Sequence, residues 1–204
     1  MKKMVVLLGT IVLLTACSEA SDDTSVISPK ELNESEKRYL DIGTEYAYVY
    51  ETSDFPDDLS TLNLDLHAYQ GGEKSEERSR QLFGLKAEEG ESLFPNEAEE
   101  LVISLSAFEV NEEESESVSY YYDVSVLLGS EDGYTEYNGS VDVPKIESLA
   151  SLADGDLRLE NTSQNIFIYF EGSEVSSGVS SDQESLNHLI NESELVYVFT
   201  LTWE

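Results

Sequence analysis

Residues 101–143 decide the fold: LVISLSAFEV (101–110), VSYYYDVSVLL (118–128) and YTEYNGSVDV (134–143) are three runs rich in β-branched and aromatic residues. NEEESES (111–117) and GSEDG (129–133) separate them. A parallel crossover needs about a dozen residues or more, so connectors this short force antiparallel neighbours and predict a three-stranded meander.

The same period-two signal extends in both directions. Tyr46, Tyr48 and Tyr50 alternate with Ala47, Val49 and Glu51, and Leu62, Leu64, Leu66 and Ala68 alternate with Thr61, Asn63, Asp65 and His67. Weaker runs at 80–86 and 165–171 add two strands, and Gln70-Gly71-Gly72-Glu73 marks a turn. In 195–203 (LVYVFTLTW) both faces are apolar, which places that strand centrally. Helical signals are short. Ser28-Pro29-Lys30-Glu31 offers a cap and a proline start for a helix over 29–40, ended by Gly43. Ser181-Asp182-Gln183-Glu184 opens a second helix that buries Leu186, Leu189 and Ile190, and residues 146–153 suit one or two further turns. Seven to nine strands with two or three short peripheral helices predict an all-β fold, an antiparallel β-sandwich for which an immunoglobulin-like arrangement is one form. The cysteine pair and central tryptophan of immunoglobulin domains are missing, so that likeness is architectural only.

Composition narrows the partners. The chain has 204 residues, 43 acidic and 11 basic side chains and a formal charge of −32, which repels phosphate backbones and excludes nucleic acid as a partner. Hydrophobic residues make up 40%, enough for a core, so the charge does not imply disorder throughout. The acidic runs Glu88-Glu89-Gly90-Glu91, Glu97 with Glu99-Glu100, and Glu112-Glu113-Glu114 with Glu116 suit either a docking surface for a basic protein partner or a saline or alkaline exterior.

Lys2 and Lys3 precede an apolar run at 4–14, too short to span a bilayer as a stable helix. It ends in Leu14-Thr15-Ala16-Cys17. This ending resembles the lipobox of bacterial membrane lipoproteins. The resemblance implies a signal peptide over 1–16, diacylation of Cys17, and a membrane-anchored location on the extracytoplasmic face. Two acyl chains on one residue suffice for stable anchoring without a basic patch. Residues 17–28, small and acidic, read as a flexible tether, and 29–204 as one domain. With Cys17 acylated, no thiol remains for a disulfide or a metal.

Catalytic signals are sparse. His67 and His188 are far apart in sequence, and no HExxH, HxH or GxSxG pattern occurs. No catalytic residue and no cofactor is expected. The metal candidates are Asp154 and Asp156 in Asp154-Gly155-Asp156, joined by the loops Asp54-Phe55-Pro56-Asp57-Asp58 and Glu131-Asp132; none has EF-hand spacing, and turn residues are the simpler reading. Tyr120-Tyr121-Tyr122 could expose rings to a glycan on one strand face, although core packing is the commoner role of such a strand. The expectation is a non-catalytic binding module displayed outside the cytoplasmic membrane, with a glycan- or Ca²⁺-binding domain as the alternative and an envelope hydrolase third.

Overall fold

The computed structural model describes residues 26–94, 98–111, 118–130, 133–143, 148–151, 155–171 and 183–204. Cys17, Asp154, Ser181 and Asp182 lie outside these residues, as do residues 18–25, Glu97, the run 112–116 and Glu131-Asp132.

Among the described residues the chain is mostly β, arranged in antiparallel sheets with two short α-helices. Strands β2 (Tyr46–Glu51), β6 (Glu100–Asn111), β7 (Val118–Ser130) and β8 (Gly133–Val143) form a four-stranded sheet in the order β2-β6-β7-β8. Its last three strands are the meander expected from residues 101–143. A larger sheet has the order β4-β3-β12-β11-β9, from β3 (Thr61–Gln70), β4 (Glu73–Lys74), β9 (Ser148–Ser151), β11 (Ser163–Glu171) and β12 (Leu195–Trp203); β5 (Arg80–Lys86) also pairs with β3. A two-residue ribbon joins β1 (Val26–Ile27) to β10 (Leu157–Arg158).

Both large sheets contribute to one core. Tyr50, Leu101, Ile103, Leu105, Tyr122 and Val124 from the four-stranded sheet pack with Leu62, Leu64, Leu66, Phe167, Tyr169 and Phe199 from the other. Ring contacts cross between them: Tyr48 stacks on Phe167 at 5.8 Å, and Tyr122 meets Tyr169 edge-on at 5.2 Å. On the opposite face of the larger sheet, helix α2 (Gln183–Glu192) buries Leu186, Leu189 and Ile190 against Ile168, Phe170, Val196 and Val198. The period-two expectation for β12 holds, since it is central and buried on both faces. Each large side chain so buried stabilises the fold by about 1.5–3 kcal/mol.

Three expectations are corrected. Helix α1 spans Glu34–Gly43, not 29–40; its N-cap is Asn33, whose side chain accepts from the Ser35 and Glu36 amides while Glu36 reaches back to the Asn33 amide. Two cap patterns of similar form lie five residues apart, and the later one prevails because the Lys30 amide is drawn 2.7 Å from the Val49 carbonyl on β2. Within 146–153, Ser148–Ser151 is strand β9 rather than a helical turn. Its four residues gain more from pairing with the edge of β11 than from a helix too short to repay its nucleation. The segment assigned to the tether also ends earlier than residue 28, since Val26 and Ile27 pair with Arg158 and Leu157, and Ile27 enters the core.

Candidate ligand-binding groove

Alternation in the four-stranded sheet sends Tyr50, Leu101, Leu105, Tyr122 and Val126 inward. The intervening residues face away, and the register sets them in rows. Val49, Val102, Leu127 and Glu136 form one row. On one side lie Glu51, Glu100, Gly129 and Tyr134; on the other lie Ala47, Ser104, Ser125 and Asn138, then Ser106, Asp123 and Ser140. Three strands thus place an apolar residue on their outward side at the same level.

Helix α1 covers this face without packing onto it. Glu36 and Leu40, one turn apart and so on one side of the helix, and the flanking Leu32 and Thr44 line the space beneath together with Val49, Val102 and Leu127. No residue of α1 is buried, and Tyr39 and Ile42 are 78% and 77% exposed. Both ends of the helix are nevertheless tied down. Before it, the Lys30 amide bonds to Val49 and the Lys30 ammonium pairs with Glu100. After it, the Ser106 hydroxyl donates to the Gly43 carbonyl at 2.7 Å and the Glu45 amide to Leu105 at 2.8 Å. The result is a groove of about 540 Å³ with an apolar floor, roofed by a helix fixed at each end. Small-molecule sites fall in the range of about 300–1,000 Å³.

Its polar groups differ in how far they are committed. Glu100 accepts from Lys30 on one oxygen and from the Tyr134 hydroxyl, at 3.3 Å, on the other. The hydrogen bond to Glu100 raises the Lys30 pKa, while partial burial and then the Glu100 charge raise that of Tyr134. Asp123 accepts from Ser140 at 3.1 Å, and Glu36 is held in the helix cap. Ser125 donates to Asn138 and Ser106 to Gly43, each at 2.7 Å. Two groups are uncommitted among the described residues. Glu136 makes no hydrogen bond or ion pair, and Ser104, only 5% exposed, lines the groove with a hydroxyl that has no partner. The Ser104 hydroxyl is not among the buried unpartnered groups, so it opens onto the groove, where it can exchange solvent for an incoming polar atom.

Apart from Glu100, the residues singled out in the sequence lie elsewhere. His67 is half-buried on β3, where burial first and Lys74 second lower its pKa against the opposing pull of Asp65 and Glu76; His188 is exposed on α2. Asp156 is half-buried, and its backbone carbonyl accepts from Gln164 at 2.7 Å. The loops carrying Asp57-Asp58 and Glu88, Glu89 and Glu91, distant in sequence, line one open depression. Among the described residues no group of three or more His, Cys, Asp or Glu is placed to hold a metal ion. Of the three consecutive tyrosines, Tyr122 is fully buried and Tyr121 stacks on Phe108 at 5.6 Å, so these two rings are occupied by the protein itself.

Of the groove lining, only Glu100 was singled out in sequence, as part of an acidic run. The available signal was the trio Val49, Val102 and Leu127, apolar residues on the otherwise polar side of three alternating strands. Comparison of the chain with protein-family models, with curated proteins and with solved structures gave no match.

Proposed function

We propose that this chain is an extracytoplasmic lipoprotein acylated at Cys17, whose domain is a β-sandwich acting as a non-catalytic binding module, with the groove beneath α1 as its ligand site. The core shared by the two large sheets supports the sandwich arrangement. The basic head, apolar run and Leu14-Thr15-Ala16-Cys17 ending support the anchor.

The binding reading rests on one observation: a helix tied at both ends stands off the apolar row Val49, Val102 and Leu127 and leaves a groove between them that Ser104 also lines. A helix whose only task was to cover the sheet would bury its own apolar side chains there.

Two measurements test the halves separately. Metabolic palmitate labelling should mark the wild-type chain and not Cys17→Ala, and an unlabelled wild type removes the anchor. Titration of the full chain with 1-octanol should shift the amides of Val102, Ser104 and Leu127 saturably. Shifts confined to other residues, or none at all, would show that the groove is no binding site.

A further inference from the structure

We infer that the groove selects an amphiphilic cation: a small molecule with an apolar body that lies on Val49, Val102 and Leu127 and an ammonium group that meets the surrounding carboxylates. The inference rests on the groove being a ligand site and adds the chemistry of its occupant.

The charge around the apolar floor is one-sided. Glu36, Glu100, Asp123 and Glu136 line the groove, and no lysine or arginine does. Lys30, at the edge of the groove, is already paired with Glu100. Glu136 continues the row Val49, Val102, Leu127, so the apolar floor runs directly into an uncommitted carboxylate. An alkyl or aryl chain on those three residues would therefore carry a terminal ammonium to Glu136. On the neighbouring row, Ser104 presents a lone pair that accepts an N–H, and Asp123 lies one row further. An anion would meet four carboxylates, whereas a neutral ligand would satisfy Ser104 but leave the field unused.

Size favours a small molecule over a polypeptide. A half-open space of about 540 Å³ bordered by a helix fixed at both ends suits a drug-sized ligand. A strand or helix from another protein would have to displace α1.

Three probes with one hydrocarbon chain isolate the charge: octylamine, 1-octanol and octanoate, each titrated into the full chain at matched ionic strength. The amides of Val102, Ser104 and Leu127 report binding. Octylamine should bind about tenfold more tightly than octanol, the scale of one or two partly screened ion pairs, and octanoate should bind weakest. The amine preference should shrink in Glu136→Gln and as NaCl is raised, with octanol affinity unchanged. Equal affinity for the three probes would overturn the cation inference and leave the groove intact as a site. Absence of shifts at these amides with every probe would remove the site itself. Hexalysine binding at the same amides more tightly than octylamine would assign the surface to a basic polypeptide and refute the small-molecule reading. Should Glu136→Gln fail to fold, the wild-type ranking of the three probes and its salt dependence still decide the matter.

Discussion

Two buried tyrosines, Tyr50 and Tyr122, should respond in opposite directions to the same substitution. Both are fully buried in the shared core. The Tyr50 hydroxyl donates to the Gly155 carbonyl at 2.7 Å, tying β2 to the loop that leads into β10. Tyr50→Phe removes that bond and leaves the carbonyl of a buried glycine without this donor, a loss of about 1–3 kcal/mol. The Tyr122 hydroxyl has no hydrogen-bond partner among the described residues. Its burial, with Glu45 and Tyr46 nearby, drives its pKa far upward, so the group stays protonated and its desolvation goes uncompensated. Tyr122→Phe keeps the edge-on contact with Tyr169 and deletes the uncompensated polar atom. The variant should be as stable as the wild type or up to about 2 kcal/mol more stable. Urea denaturation with a common slope measures both. In a domain of this size each kcal/mol corresponds to roughly 2–4 °C in melting temperature, so the two variants should separate clearly. If Tyr122→Phe is destabilised by about 1 kcal/mol or more, the hydroxyl has a role that the packing described here lacks, and the reasoning fails.

The remaining predictions concern backbone and charge. Gly155 has φ +97°, and a methyl group there would lie 2.3 Å from Pro29 and 2.8 Å from Tyr48, whereas Gly90, with φ +84°, has open space around it. Both Gly→Ala variants incur left-handed strain of about 1–2 kcal/mol, and Gly155→Ala should lose about 1–3 kcal/mol more through overpacking; equal melting temperatures would refute the contact with Pro29. Because the folded state depresses the His67 pKa, the neutral imidazole contributes stability above the unfolded value near 6.5 that is lost as pH falls through the folded one. His67→Gln should therefore gain on the wild type as pH falls below about 6.5, and a stability difference constant from pH 5 to pH 8 would show that the side chain is not perturbed in the fold.

The fold was legible wherever one residue type repeated at period two over six or more positions. Leu62, Leu64, Leu66 and Ala68 appeared as one buried face from spacing alone, and the doubly apolar 195–203 announced a central strand. Legibility failed where two local solutions were nearly equal. Ser28 and Asn33 each begin a cap pattern, and a tertiary hydrogen bond from Lys30 to β2 decides between them. Val26 and Ile27 follow a polar run and are too few to show a period; their strand exists only because β10 lies beside them. The groove was hidden for a different reason. Its floor takes one residue from each of three strands, and Val49, Val102 and Leu127 become neighbours only through register. Ser104 looks in sequence like any outward strand serine, and it shares the groove with α1, which lies about sixty residues earlier.

The early start of the fold also bears on where the groove would sit. With Cys17 acylated, eight residues (18–25) separate the anchor from β1, and a chain of that length reaches roughly 30 Å at full extension. On that proposal the domain would be held within a molecular diameter of the bilayer, while its many carboxylates would be repelled by anionic headgroups at closer approach than a Debye length of about 8 Å. Such attachment and repulsion together would favour a standing-off position rather than a surface lying flat on lipid. The same headgroup field concentrates amphiphilic cations at the membrane surface, because their charge is attracted and their apolar part partitions there. A carboxylate-lined apolar groove tethered at that distance would meet its proposed ligand where the ligand is most concentrated, so a modest intrinsic affinity would suffice for occupancy. Lengthening the tether should then weaken occupancy on membranes without changing affinity in solution.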